Sequence, residues 1–100
     1  MNNIKVIMCE VGKKPYIKEI PNELEEIQKL VGGYIEVVSL INGLIVVCNE
    51  EGRLMNLPIN NNLGLNIFGN FFIVRTDGEE FASIKDEDME TLNRIRFFVR

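Results

Sequence analysis

The spacing of apolar residues along the chain changes period several times, and each change marks an element. Ile4, Val6 and Met8 stand two apart with Lys5 between the first pair, and this alternation of β-branched and polar positions predicts a strand from Ile4 to Cys9. Gly12 and Pro15 break it, and Tyr16 to Ile20 alternates again, so the two segments form a hairpin. After Pro21-Asn22 the period lengthens. Leu24, Ile27, Leu30 and Val31 recur at three-to-four spacing, which predicts a short amphipathic helix over Glu23 to Val31. Asn22 is the expected N-cap, and Glu23, Glu25 and Glu26 sit in the first turn, where the helix dipole favours anions. Gly32-Gly33 ends the helix, one of the two taking the left-handed C′ position.

The period then returns to two. Tyr34 to Leu40 and Leu44 to Asn49 are the most strand-like segments, joined by Ile41-Asn42-Gly43, and Asn-Gly between β-branched runs is a strong hairpin signal. Pairing about Asn42-Gly43 places Glu36 opposite Asn49. The near-continuous apolar run Leu44 to Cys48 predicts a central strand covered on both faces. Glu50-Glu51-Gly52 is a turn, and Arg53 to Asn66 reads as irregular. Ile67 to Arg75 is a strand interrupted at Gly69, which marks a bulge or a close backbone approach. Thr76-Asp77-Gly78 turns the chain into a short strand, Phe81 to Ile84. Ser83-x-x-Asp86 has the form of a capping box, and Met89, Leu92, Ile95 and Val99 give the stripe of a C-terminal helix. The expected architecture is one α+β domain over residues 1–100, a mostly antiparallel sheet of about five to six strands with two helices packed on one face.

Composition narrows the partners. Fifteen acidic against eleven basic residues leave a net charge of −4, and the longest basic run is Lys13-Lys14. Phosphate neutralisation supplies most nucleic-acid affinity, so direct nucleic-acid binding is disfavoured. Acidic residues do cluster from Glu79 to Glu90, but Arg94, Arg96 and Arg100 follow, which argues against an acidic mimic of DNA. Cys9 and Cys48 lie inside apolar runs, where a free cysteine behaves as a small hydrophobe. Neither a signal-peptide pattern nor an apolar run of membrane-spanning length is present, so a cytoplasmic location and no membrane partner are expected.

Histidine is absent. That removes the commonest general base, the usual zinc nitrogen ligand and the partner of a Ser or Cys nucleophile. Phosphate-binding glycine loops and paired CxxC elements are missing too. The remaining chemistry is a set of carboxylates and amides near turns: Glu36 on an otherwise apolar strand face, Asn49-Glu50 beside a turn, and Asn60 in a long Asn-rich loop. Glu36, Asn49, Glu50 and Asn60 are therefore the candidate ligand- or partner-binding residues, and Glu36, Asn49 and Asn60 are expected to converge on one side of the sheet. No catalytic residue, metal or cofactor is assigned.

The segments Gly32-Gly33-Tyr34-Ile35-Glu36, Asn49-Glu50-Glu51-Gly52 and Leu57-Pro58-x-Asn60 resemble a family of small domains of unknown function found in phages, plasmids and conjugative elements. The resemblance covers roughly residues 4 to 84, with Ile67-Phe68-Gly69-Asn70 only a loose match to the family's strand there. It implies no established activity, but Gly33, Glu36, Asn49, Glu50, Gly52 and Asn60 match recurrent positions. The leading expectation is a non-enzymatic accessory or interaction module for a protein partner or small ligand, with a homodimer left open. The alternative is a carboxylate-dependent hydrolase or divalent-metal protein using Glu36, Glu50 and Glu51.

Overall fold

The computed structural model describes residues 2–62 and 67–94. Ten elements follow one another: β1 (Asn3–Cys9), β2 (Tyr16–Pro21), α1 (Leu24–Val31), β3 (Ile35–Ser39), β4 (Leu44–Asn49), β5 (Ile59–Asn60), β6 (Ile67–Phe68), β7 (Phe71–Asp77), β8 (Glu80–Ala82) and α2 (Asp86–Arg94). Six strands form one antiparallel sheet in the order β2-β1-β7-β4-β3, with β8 also paired to β7; β5 and β6 make a separate two-stranded sheet. The fold is α+β, as the alternation of periods predicts.

The two helices do not share a face. Every residue of β4 is buried, and both β4 and β7 are apolar on both sides, so each face needs a cover. Ile27 and Val31 of α1 close one core with Val6, Ile45, Val47, Phe72 and Val74. Leu92 and Met89 of α2 close the other with Ile7, Leu44, Val46, Phe71 and Ile73. The expectation of both helices on one face is corrected on this ground. Ile95 and Val99, assigned to the same stripe, lie outside the described residues.

Local signals shift by one or two positions. Glu23, not Asn22, is the N-cap of α1 and makes no capping side-chain bond, while the Asn22 amide donates to the Phe81 carbonyl at 3.5 Å. Gly32 holds the left-handed position at φ 83°, and the Gly33 N–H reaches back to the Gln28 carbonyl at 3.0 Å, closing the Schellman bond. The capping interaction of α2 moves from Ser83 and Asp86 to Lys85 and Asp88: the Lys85 N–H donates to Asp88 Oδ2 at 2.7 Å. Ser83 Oγ instead accepts from the Lys5 N–H at 2.9 Å, tying the segment before α2 to β1.

Two further differences matter for the site. Gly69, at φ 92°, ends β6 and allows the chain to re-enter the main sheet as β7, so the anticipated Ile67–Arg75 strand is two strands in two sheets. A Cβ there would stand 2.7 Å from Leu57 Cδ1. The β3–β4 register also differs. Asn42 and Gly43 form the turn at φ 53° and 80°, yet the Leu40 N–H bonds the Leu44 carbonyl at 2.9 Å, so Ile41 is one residue more than a two-residue hairpin holds. Asn49 consequently pairs with Ile35, and Glu36 with Cys48. A slip of one residue exchanges faces, so Glu36 and Asn49 project to opposite sides of the sheet.

Candidate ligand-binding cleft

Glu36, Val38 and Cys48 share the face of the sheet that α2 covers farther along, and near the β3 edge no described element covers this face. The small β5–β6 sheet and the Glu50–Asn56 turn rise beside it. Between them lies a cleft of about 360 Å³ lined by Glu36, Val38, Cys48, Asn49, Glu50, Gly52, Arg53, Ile67 and Phe68. The floor is apolar, from Val38, Cys48 and Ile67, and the rim is charged. Glu36 and Glu50 are exposed, and among the described residues neither carboxylate accepts a hydrogen bond or forms an ion pair. The Glu50 N–H bonds the Tyr34 carbonyl at 2.8 Å, which continues the ladder and puts Glu50 diagonal to Glu36 on one face. Such diagonal positions stand roughly 7–8 Å apart. On the opposite rim the Arg53 guanidinium lies 5.5 Å above the Phe68 ring, a cation–π contact that holds it at the wall.

The wall is shaped by Gly52. A Cβ at this position would meet the Phe68 carbonyl oxygen at 2.5 Å, so the turn and β6 touch backbone to backbone only because no side chain intervenes. Cys48 has no nucleophilic character. Burial pushes its thiol up to about 11, and the neighbouring Glu36 charge adds to the effect. Cys9, in the core, is pushed by burial to about 12. Both remain protonated at neutral pH.

The predicted site residues thus divide. Glu36 and Glu50 meet at the cleft. Asn49 lines it, but its side chain goes to the other face: Nδ2 donates to the Val31 carbonyl at 3.1 Å, and Oδ1 accepts from the Glu51 N–H at 2.7 Å. It satisfies an end carbonyl of α1 and forms the turn at once. Gly33 fits this arrangement, since a Cβ there would stand 3.0 Å from Asn49 Nδ2. Asn60 is elsewhere. It is 1% exposed, donates to the Cys9 and Gly69 carbonyls at 2.9 Å each, and accepts from the Asn62 N–H and Nδ2. Asn62 continues to the Glu10 and Lys13 carbonyls, so the two asparagines clip the β1–β2 turn to the small sheet. The expected convergence of Glu36, Asn49 and Asn60 does not occur, because the hairpin register separates the first two and a buried network holds the third.

Arg53 escaped the sequence reading, although its place just after the Glu50-Glu51-Gly52 turn was the available signal. So did Arg75, paired with Asp88 across the other end of the same face. Glu36, Glu50 and Glu51 do not assemble as a metal site: among the described residues no group of three or more His, Cys, Asp or Glu is placed to hold a cation. No helix of the described residues is long and apolar enough to cross a membrane. No curated protein and no solved structure matches the chain. The model of one family does match, over residues 4–96, and the chain belongs to that family, a domain of unknown function (DUF3846).

Proposed function

We propose that this domain is a non-enzymatic binding module whose cleft receives a basic group carried on an apolar or peptide body. One observation carries the reading: two exposed carboxylates, Glu36 and Glu50, stand uncommitted over an apolar floor. A single ammonium or guanidinium fits between carboxylates at that spacing, and the floor supplies burial for the chain that bears it. Arg53, fixed over Phe68, offers donors to a carbonyl or carboxylate of the same ligand. The resemblance of the three motif segments further supports a role as an accessory domain of a phage, plasmid or conjugative element, with a protein partner of that element as the natural ligand.

The test is selection of peptides from a random displayed library on the immobilised domain, counter-screened on the Glu36→Gln/Glu50→Gln variant. Both positions are exposed, so the variant should retain the wild-type circular dichroism spectrum. Enrichment of Lys- or Arg-bearing peptides that the variant fails to bind is the expected result. No enriched family, or equal capture by the variant, refutes the reading. A rise in wild-type Tm with millimolar Mg²⁺ or Ca²⁺ that the variant lacks would replace it with the metal-binding alternative.

A further inference from the structure

We infer that the partner binds as an extended strand added to the open edge of β3, delivering a lysine or arginine opposite Glu36; this rests on the cleft being a binding site and specifies how it is filled. The hydrogen-bond pattern shows which backbone groups are available. Tyr34 and Leu40 bond inward to Glu50 and Leu44, and Cys48 Sγ donates to the Glu36 carbonyl at 3.7 Å, so the even-numbered residues of β3 face β4. Alternation then directs the N–H and C=O of Ile35, Val37 and Ser39 outward, and no element of the described residues pairs with them. Within β3, Glu36 is the one charge that guards this edge. β2, at the far edge, carries Lys18 and Glu19 and closes on Pro21, whereas β3 is Ile-Glu-Val-Val-Ser, with no proline, lysine or bulge.

Relative to an added antiparallel strand, Glu36 and Val38 occupy non-hydrogen-bonded positions, where facing residues approach most closely, at roughly 4.5 Å between Cα atoms. A basic residue opposite Glu36 therefore stands beside that carboxylate on the cleft face of the sheet, with Glu50 on the far side of Glu36. A β-branched residue opposite Val37 covers a side chain that is 48% exposed on the other face. Charge selects this occupant over a second copy of the chain. Self-pairing about Val37 would use the same outward groups, but it would bring the two Glu36 residues into diagonal positions on one face, and like charges there are destabilising. Each copy also carries a net charge of −4.

The experiment uses a fluorescein-labelled, end-blocked hexapeptide, threonine-valine-valine-lysine-valine-threonine, titrated by anisotropy at low salt. Val37→Pro removes an outward N–H and leaves the ladder to β4 intact, so it should weaken binding at least tenfold. Glu36→Gln should weaken it severalfold, as should replacing the peptide lysine by glutamate. Should Val37→Pro unfold the domain, the wild type serves with two N-methylated peptides: methylation of the amides facing β3 should abolish binding, and methylation of the opposite set should leave it within twofold. Unchanged affinity on blocking the β3-facing amides, with loss in Glu36→Gln, would overturn strand addition and leave the cleft reading standing. Loss in neither overturns both. A wild-type dimer by light scattering that Val37→Pro converts to monomer would assign the edge to a second copy and refute the peptide.

Discussion

Replacing Asp88 by Asn should be among the most damaging single changes to this domain, although Asp88 sits in a sequence segment that reads as an acidic cluster. Asp88 is 2% exposed. Its carboxylate accepts from Arg75 Nε at 2.8 Å, Arg75 Nη2 at 2.7 Å and the Lys85 N–H at 2.7 Å. Arg75 also donates from Nη1 to the Asn42 carbonyl at 2.8 Å, so one guanidinium joins α2, β7 and the β3–β4 turn. Asparagine keeps the shape and removes the charge, turning an amide N–H₂ toward an arginine that can only donate. Breaking a buried pair by one partner costs about 3–5 kcal/mol. The Arg75 side chain retains 21% of its exposure and can recover some hydration, which lowers the expectation to roughly 2–4 kcal/mol. Against a domain stability of about 5–15 kcal/mol, that is a large fraction.

Urea unfolding followed by circular dichroism measures the loss, and pH supplies an independent check. Burial alone pushes the Asp88 carboxyl up, but the bonds from Arg75 and the Lys85 N–H, with their charges, outweigh it and hold it below the usual carboxylate value. A carboxyl whose folded pKa is depressed contributes stability that is complete above its unfolded pKa, about 3.9, and is lost as pH falls through the lower folded value. Wild type should therefore lose stability between about pH 4 and the acid limit, and Asp88→Asn should show a shallower slope there. A loss under about 0.5 kcal/mol, or an unchanged acid slope, would show that the pair is a surface contact of little consequence.

Val46, fully buried in the core under α2, should cost about 1–3 kcal/mol as Val46→Ala, measured by the same unfolding curves. Gly32→Ala should cost about 1 kcal/mol through its left-handed φ. Gly33→Ala should instead act through the 3.0 Å approach to Asn49, so its cost should shrink in an Asn49→Ala background, while that of Gly32→Ala stays. Asn60→Ala takes a donor from the Cys9 and Gly69 carbonyls and the acceptor from the Asn62 N–H and should lower stability by about 2–4 kcal/mol; a value near zero would return Asn60 to the pool of binding residues.

Much of the fold was legible because period and punctuation agree. The β1–β2 hairpin, α1 and the fully buried β4 follow from spacing, Gly-Pro breaks and the Asn42-Gly43 turn. What was lost turns on features that leave no periodic trace. Because β4 is apolar on both faces, its sequence does not say which face pairs with which residues of β3, and the single extra residue at Ile41 decided the register. The same two-faced apolarity demanded a cover on each side, which is why the helices part. β5 and β6 are two residues each, too short to show any alternation, so the Asn-rich segment read as plain loop. Asp88 read only as a member of an acidic cluster because its partner, Arg75, is distant in sequence.

The positions that the sequence resemblance singles out separate on the same physical grounds. Gly33 and Asn49 form one device, in which a glycine makes room for an amide that satisfies the last carbonyl of α1 and shapes the following turn. Gly52 permits backbone contact with Phe68, and Asn60 knits the β1–β2 turn to the small sheet. Each of these has its hydrogen-bonding or steric capacity taken up inside the fold, and a group so engaged has nothing left to offer a ligand. Glu36 and Glu50 have no such occupation. Neither belongs to a core cluster, neither has an ion partner among the described residues, and both line the cleft beside the edge of β3 that no described strand pairs with. A buried polar residue with every bond satisfied is explained by stability; an exposed carboxylate is hydrated and keeps its accepting capacity for a ligand. The case for binding therefore rests on these two carboxylates, and variants at Asn49 or Asn60 report on folding instead.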